Sequence, residues 1–113
     1  MPTELVISSP RGSITISRDV VAEIVAETAE RCYGVVGLAP GSRLGRILRR
    51  DGVTVGGEAS AVQVGLHVVV EAGLNLAEVA ATVRSQVAYE VERLTGLTVA
   101  AVEVVVQSVR QSA

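Results

Sequence analysis

The sequence contains no lysine, no tryptophan and no phenylalanine, and only two tyrosines, one cysteine and one histidine in 113 residues. Each shortage excludes something. Without aromatic rings the core must be aliphatic, and the flat side chains on which single-stranded bases stack are nearly missing. With Cys32 alone no internal disulfide forms, and a reducing compartment is expected. A single His and a single Cys provide no pair of such ligands at metal-binding spacing, and no cofactor is expected. No uninterrupted apolar run approaches the roughly 18 residues of a membrane-crossing helix. The opening MPTELVISSPRG lacks the basic start and long apolar stretch of a secretion signal. These features predict a soluble protein. A net charge of −2 exerts no general pull on nucleic acid.

What is present is valine, at 23 positions, in a chain that is 49% hydrophobic. Such β-branched density favours sheet. Residues 1–11 read as a variable N-terminal arm in which Leu5, Val6 and Ile7 form a strand or remain mobile. Residues 12–110 read as a single domain. GSITIS alternates Ile14 and Ile16 with polar residues, the pattern of a short strand with one buried face. Ser17 is a helix N-cap with Asp19 in the first turn. Val20, Val21, Ile24, Val25, Thr28, Ala29 and Cys32 follow helical spacing, so a helix is predicted over about 18–32, ending near Gly34. VVGL is a short strand.

VTVGGE and AVQVGLHVVVE read as two strands around a turn at Gly56-Gly57. On the second, Val62, Val64, Leu66, Val68 and Val70 share one face, with Gln63, Gly65, His67, Val69 and Glu71 on the other. Asn75 followed by Glu78 is a capping-box pattern. It opens a helix with a stripe of Leu76, Val79, Ala80, Val83, Val87, Val91 and Leu94, ended by Gly96. In the last strand Val102, Val104 and Val106 lie on one side. Val99, Glu103, Val105, Gln107 and Val109 are expected on the other. The order predicts an α/β (α+β) two-layer sandwich: one mixed sheet of about four to five strands, with two main amphipathic helices on one face. The opposite face would be half apolar, and Val69, Val99, Val105 and Val109 are the candidate self-association residues.

Few residues could carry chemistry. Cys32 falls on a helix stripe and His67 on a strand face, so a small core hydrophobe and a surface imidazole account for both better than a catalytic pair does. GVVG at 34–37 formally matches the GxxG loop of KH modules, but Val-Val followed by Leu38 is strand chemistry. GVTVGGE has no GKS or GKT and is not a phosphate loop.

SRLGRILRRDG, residues 42–52, carries four arginines and one aspartate, a net of +3, on an otherwise acidic chain. At helical spacing Leu44, Ile47 and Leu48 oppose Arg43, Arg46, Arg49 and Arg50, predicting one or two turns of helix or a partly ordered loop. Such a face is either simply solvated or docks an acidic protein or membrane surface, since guanidinium forks bind carboxylates and phosphates bidentately. The alternative is a small RNA-binding module using the same segment. The scarcity of aromatics and the acidity of the remaining chain weigh against nucleic acid.

GSITISRDVVAEIVAETAERCYGVVGL, then GVTV, then VQVGLHVVVEAGLNLAEVAATVRSQVAYEVERLTGLTVAAVEVVVQSV resembles the alkaline shock protein family, small envelope-stress proteins of Gram-positive bacteria. The resemblance runs from Gly12 to about Val109 and rests on a combination of motifs: G-x-I-x-I-S, G-V-x-G-L, N-x-x-E and L-T-G-L-x-V. The chain departs from the family at Ala72, where an aromatic often stands before the Gly, and at Glu103, where Asn often stands. The resemblance implies a non-enzymatic cytoplasmic protein with no catalytic residues. It further implies self-association, with some members held at the inner face of the membrane by a small membrane-anchored partner. Together with the residue pattern, it leads to an expected interaction or scaffold protein of the cell-envelope stress response. Arg43, Arg46, Arg49 and Arg50 are its candidate partner-binding residues.

Overall fold

The computed structural model describes residues 4–39, 48–50 and 52–111. The elements run β1 (Glu4–Ser9), β2 (Gly12–Ser17), α1 (Arg18–Glu30), β3 (Val35–Leu38), β4 (Leu48–Arg50), β5 (Val53–Glu58), β6 (Ala61–Glu71), α2 (Leu76–Thr95) and β7 (Val99–Arg110). The architecture is mixed α+β, as the alternating pattern predicts, but it contains two sheets. β1 and β2 form an antiparallel hairpin of their own, and the other five strands form the main sheet. β2 therefore departs from the reading of 12–17 as a strand with one buried face: Ile14 is exposed, and Leu5 of β1 supplies the buried anchor.

The main sheet is organised around β6. Along one edge of β6, β5 pairs antiparallel with its first half and β3 with its second half. Along the other edge β7 runs parallel. β4 borders β5. Every second residue of β6 from Val62 to Val70 is buried. These side chains form one core with Val21, Ala22, Val25, Ala26 and Ala29 of α1 and Val79, Val83, Val87 and Val91 of α2.

Local chemistry explains both helix starts. Ser17 Oγ accepts from Asp19 N–H at 3.0 Å, and Asn75 Oδ1 accepts from Glu78 N–H at 3.0 Å. Each bond satisfies a donor that has no partner within the helix, worth about 1 kcal/mol. Gly96 closes α2 at φ +77°, donating its N–H to Glu92 C=O. That left-handed cap favours glycine.

On α1 the buried stripe is rotated modestly from the predicted one, and on α2 it is shorter. On α1, Val20 is exposed, whereas Ala22 and Ala26 are fully buried. Alanine at those positions fills the space beneath the helix and allows a close approach, a role that a search for large apolar side chains overlooks. On α2, the four valines spaced four residues apart are buried, while Leu76 and Leu94, at the ends of the predicted stripe, are exposed. At about 100° per residue Leu76 and Leu94 lie on the same side as the valines, so their exposure comes from their place at the two ends of the helix and not from rotation.

The turn between β5 and β6 falls at Ala59-Ser60, not at Gly56-Gly57, which lie within β5. Gly57 serves a different purpose. It holds φ +80°, and a Cβ there would lie 2.2 Å from Ala61 O. Its carbonyl accepts a 2.9 Å hydrogen bond from Nη2 of the buried Arg18, tying the start of α1 to the hairpin.

Candidate interaction surfaces

The arginine segment is only partly within the described residues: Arg43 and Arg46 lie outside them. Leu48–Arg50, expected at the end of a short helix, instead forms a strand against β5, with Arg50 opposite Val53. Leu48 pairs with Thr54 and Arg50 with Val53, so the three residues form an antiparallel ladder with the strand that comes next in the chain. A tertiary pairing partner outweighs a short helix already weakened by Gly45. Arg49 and Arg50 thus lie on a strand at one margin of the main sheet.

The two strands β6 and β7 build the open face. Glu103 lies opposite Gly65, Val105 opposite His67, Ser108 opposite Val69 and Arg110 opposite Glu71. Paired residues in neighbouring strands share a face, so these positions lie away from the helices. His67 Nδ1–H donates to Gln107 Oε1 at 2.7 Å, bridging the strands across that face. Val105 is 36% exposed.

The structure separates the four valines expected on this face. Val69 and Val105 lie on it, Val69 being buried. Val99 and Val109 do not: Val99 pairs with Val62 and packs against the core, and Val109 pairs with Val70 on the helix side. The cause is two register shifts in β7, one between its pairings to Val62 and Gln63 and one between those to Val68 and Val69. Each bulge inserts one residue and inverts the alternation beyond it. The outer face is consequently smaller and more polar than strict alternation predicts.

A broad cleft of about 1150 Å³ lies between α2 and the sheet. Its lining includes Ala77, Ala80, Ala81 and Arg84 from α2, with Val55, Val64, Val102 and Val104 from the strands. Among the described residues, no group of three or more His, Cys, Asp or Glu side chains is placed to hold a metal ion.

Cys32 and His67 are each engaged elsewhere. Cys32 is half-buried, and its Sγ–H donates to Thr28 O at 3.4 Å. Burial pushes its thiol pKa up, partly offset by the nearby Arg31 charge. A raised pKa leaves less thiolate near neutral pH. Alkylation of native protein by iodoacetamide should therefore be slower than that of the urea-unfolded chain, as followed by mass spectrometry. Equal rates in the two states would contradict this environment for Cys32.

This fold is shared with solved structures. A variant of MamM CTD superimposes with a TM-score of 0.54 at 15% identity, covering 84% of this chain and 83% of that one. MamM-CTD 215-293 gives 0.51 at 15% identity, covering 84% and 99%. At such low identity the likeness concerns the fold: two helices layered on a small sheet. Sequence relatives are more informative. YloU of Bacillus subtilis (strain 168) is 36% identical over 107 residues, covering 88% of this chain and 89% of the relative. Spy1614 of Streptococcus pyogenes serotype M6 is 30% identical over 112 residues, covering 92% and 93%. The pattern of the alkaline shock protein 23 family, described as having a cell envelope-related function, matches residues 6–111. The chain belongs to that family, as the combined motifs imply. No helix among the described residues is long and apolar enough to cross a membrane.

Proposed function

We propose that this protein is a non-enzymatic interaction protein of the cell-envelope stress response. It acts at the inner face of the membrane, associating with copies of itself and docking an acidic or membrane-anchored partner. The observation that carries the reading is the open sheet face around Val105. Apolar, basic and acidic side chains alternate there, and among the described residues no second layer covers them. Membership in an envelope-related family supports the same setting. Arg43, Arg46, Arg49 and Arg50 are the partner-binding residues in this reading, their guanidinium groups meeting carboxylates or phosphates. Val105 belongs to the self-association surface, whereas Val69 lies on the same face but is buried within it. Val99 and Val109 reach it only from the helix side.

Two measurements test the two halves. In sedimentation velocity, Val105→Glu should shift the protein toward monomer while leaving its melting temperature nearly unchanged, because a half-exposed surface position tolerates a charge. Unchanged oligomer size at unchanged stability removes this face from the interface. In nuclease-treated pull-downs from the native cell, replacing the four arginines with glutamate should abolish capture of a small membrane protein. Identical partners in both samples would make the arginines a solvated face.

A further inference from the structure

β7 is twelve residues long and lies at the margin of the main sheet. One edge pairs with β6 along nearly its whole length, and among the described residues no strand pairs with the other. Natural proteins blunt such edges with lysine, proline or brevity. Between Val99 and Arg110 there is no lysine or proline, and the only charged residues are Glu103 and Arg110. Glu92 Oε2 accepts from Val99 N–H at 2.8 Å, which closes only the first position of the edge.

The hydrogen bonds show which backbone groups face outward. His67 donates its N–H to Gly52 O and accepts from Ala39 N–H, both on the β5 and β3 side of β6. Val62 donates to Thr98 O on the other side. The core-facing residues of β6 therefore direct their backbone groups toward β7. A parallel ladder of that phase engages residues 101, 103 and 105, and leaves the N–H and C=O of Val102, Val104 and Val106 on the free edge. Past the second bulge, Arg110 C=O accepts from Ala72 N–H, on the side of β6, so Val109 turns its groups outward.

We infer that this edge pairs antiparallel with the same edge of a second copy, Val104 lying opposite the partner's Val109 about a two-fold axis near Gln107. The inference deepens the self-association reading and rests on it. In this register, outward-facing backbone groups meet outward-facing groups. Val104 and Val109 both lie on the helix side, opposite Leu66 and Val70. On the open face Glu103 meets the partner's Arg110, and Val105 meets the partner's Ser108. Neither Glu103 nor Arg110 has a salt-bridge partner among the described residues, so each brings an uncommitted charge to the contact. Sliding the register by two residues in either direction keeps the hydrogen-bond phase but separates Glu103 from Arg110. The bulge at Gln107 is what allows this register: without its extra residue, Val104 and Val109 would lie on opposite faces.

The test uses cysteines in the Cys32→Ser background. Val105 and the partner's Ser108 form a non-hydrogen-bonded antiparallel pair with Cα atoms about 4.5 Å apart, within the disulfide range of about 4.4–6.8 Å. Val105→Cys and Ser108→Cys proteins are oxidised separately and as an equal mixture, and sedimentation velocity is run on each before oxidation. The expected result is dimers in every sample, with a disulfide-linked heterodimer formed only in the mixture. Dimers without that link, or equal linking by either variant alone, overturn the edge and its register but leave self-association standing. Monomers in every sample, and in the unsubstituted protein, overturn both.

Discussion

Leu66→Ala should lower the unfolding free energy by about 2–5 kcal/mol, the range for removing a buried leucine side chain and leaving a cavity. In thermal denaturation this is a fall in melting temperature on the order of 10 °C or more for a domain of this size. Leu66 is fully buried. It sits on the central strand, opposite Val53 of β5 and Val104 of β7, where the sheet has neighbours on both sides. The surrounding core is almost entirely valine and alanine. These short, stiff side chains have few rotamers with which to refill the space. Leu94→Ala is the matched comparison. Helical spacing puts Leu94 in the buried stripe of α2, but it is 54% exposed, so its loss should stay within about 0.5 kcal/mol. Comparable losses at the two positions would mean that the packed face of α2 has been misassigned.

The second large effect separates two adjacent glycines. Gly57→Ala should cost at least about 2 kcal/mol, since the left-handed conformation alone costs an L-residue about 1–2 kcal/mol. The new methyl group also meets backbone rather than a flexible side chain: Ala61 O at 2.2 Å, with Gln63 N at 3.2 Å. Relieving that contact shifts the hairpin and strains the bond from Arg18 to Gly57 O. Gly56→Ala, by contrast, introduces a methyl with no atom within 4 Å and no positive φ. It should change stability by no more than about 0.5 kcal/mol. Urea denaturation of both variants, with the m-value checked for constancy, distinguishes them. A Gly57→Ala protein as stable as Gly56→Ala would show that the hairpin backbone is not held as described.

The two glycines also mark a limit of sequence reading. Paired glycines between two β-rich runs signal a turn. Here Ala59-Ser60 makes the turn, and glycine is needed two residues earlier, where another chain segment comes close. That requirement depends on Ala61 and Arg18 being nearby, which local composition does not encode. The arginine segment shows the same limit in a different form. Its spacing is amphipathic, yet Leu48–Arg50 pairs with β5, because a hairpin partner waits immediately beyond Gly52.

The caps at Ser17, Asn75 and Gly96, the two main helices and the buried face of β6 were all legible from local pattern. Each depends on chemistry within a few residues: a side-chain oxygen meeting an orphan N–H, a residue free to turn left-handed, or a strict period of two. The outer surface was not legible in the same way. Valine occupies both parities of the last strand, so alternation alone does not reveal where a residue has been inserted. The bulges of β7 move Val99 and Val109 to the helix side and leave Val105 on the open face between Glu103 and the His67–Gln107 bridge. They arise only when β7 aligns with β6 over ten paired positions. One inserted residue reverses every side chain beyond it, so the composition of the interaction surface is a property of strand pairing rather than of any single strand.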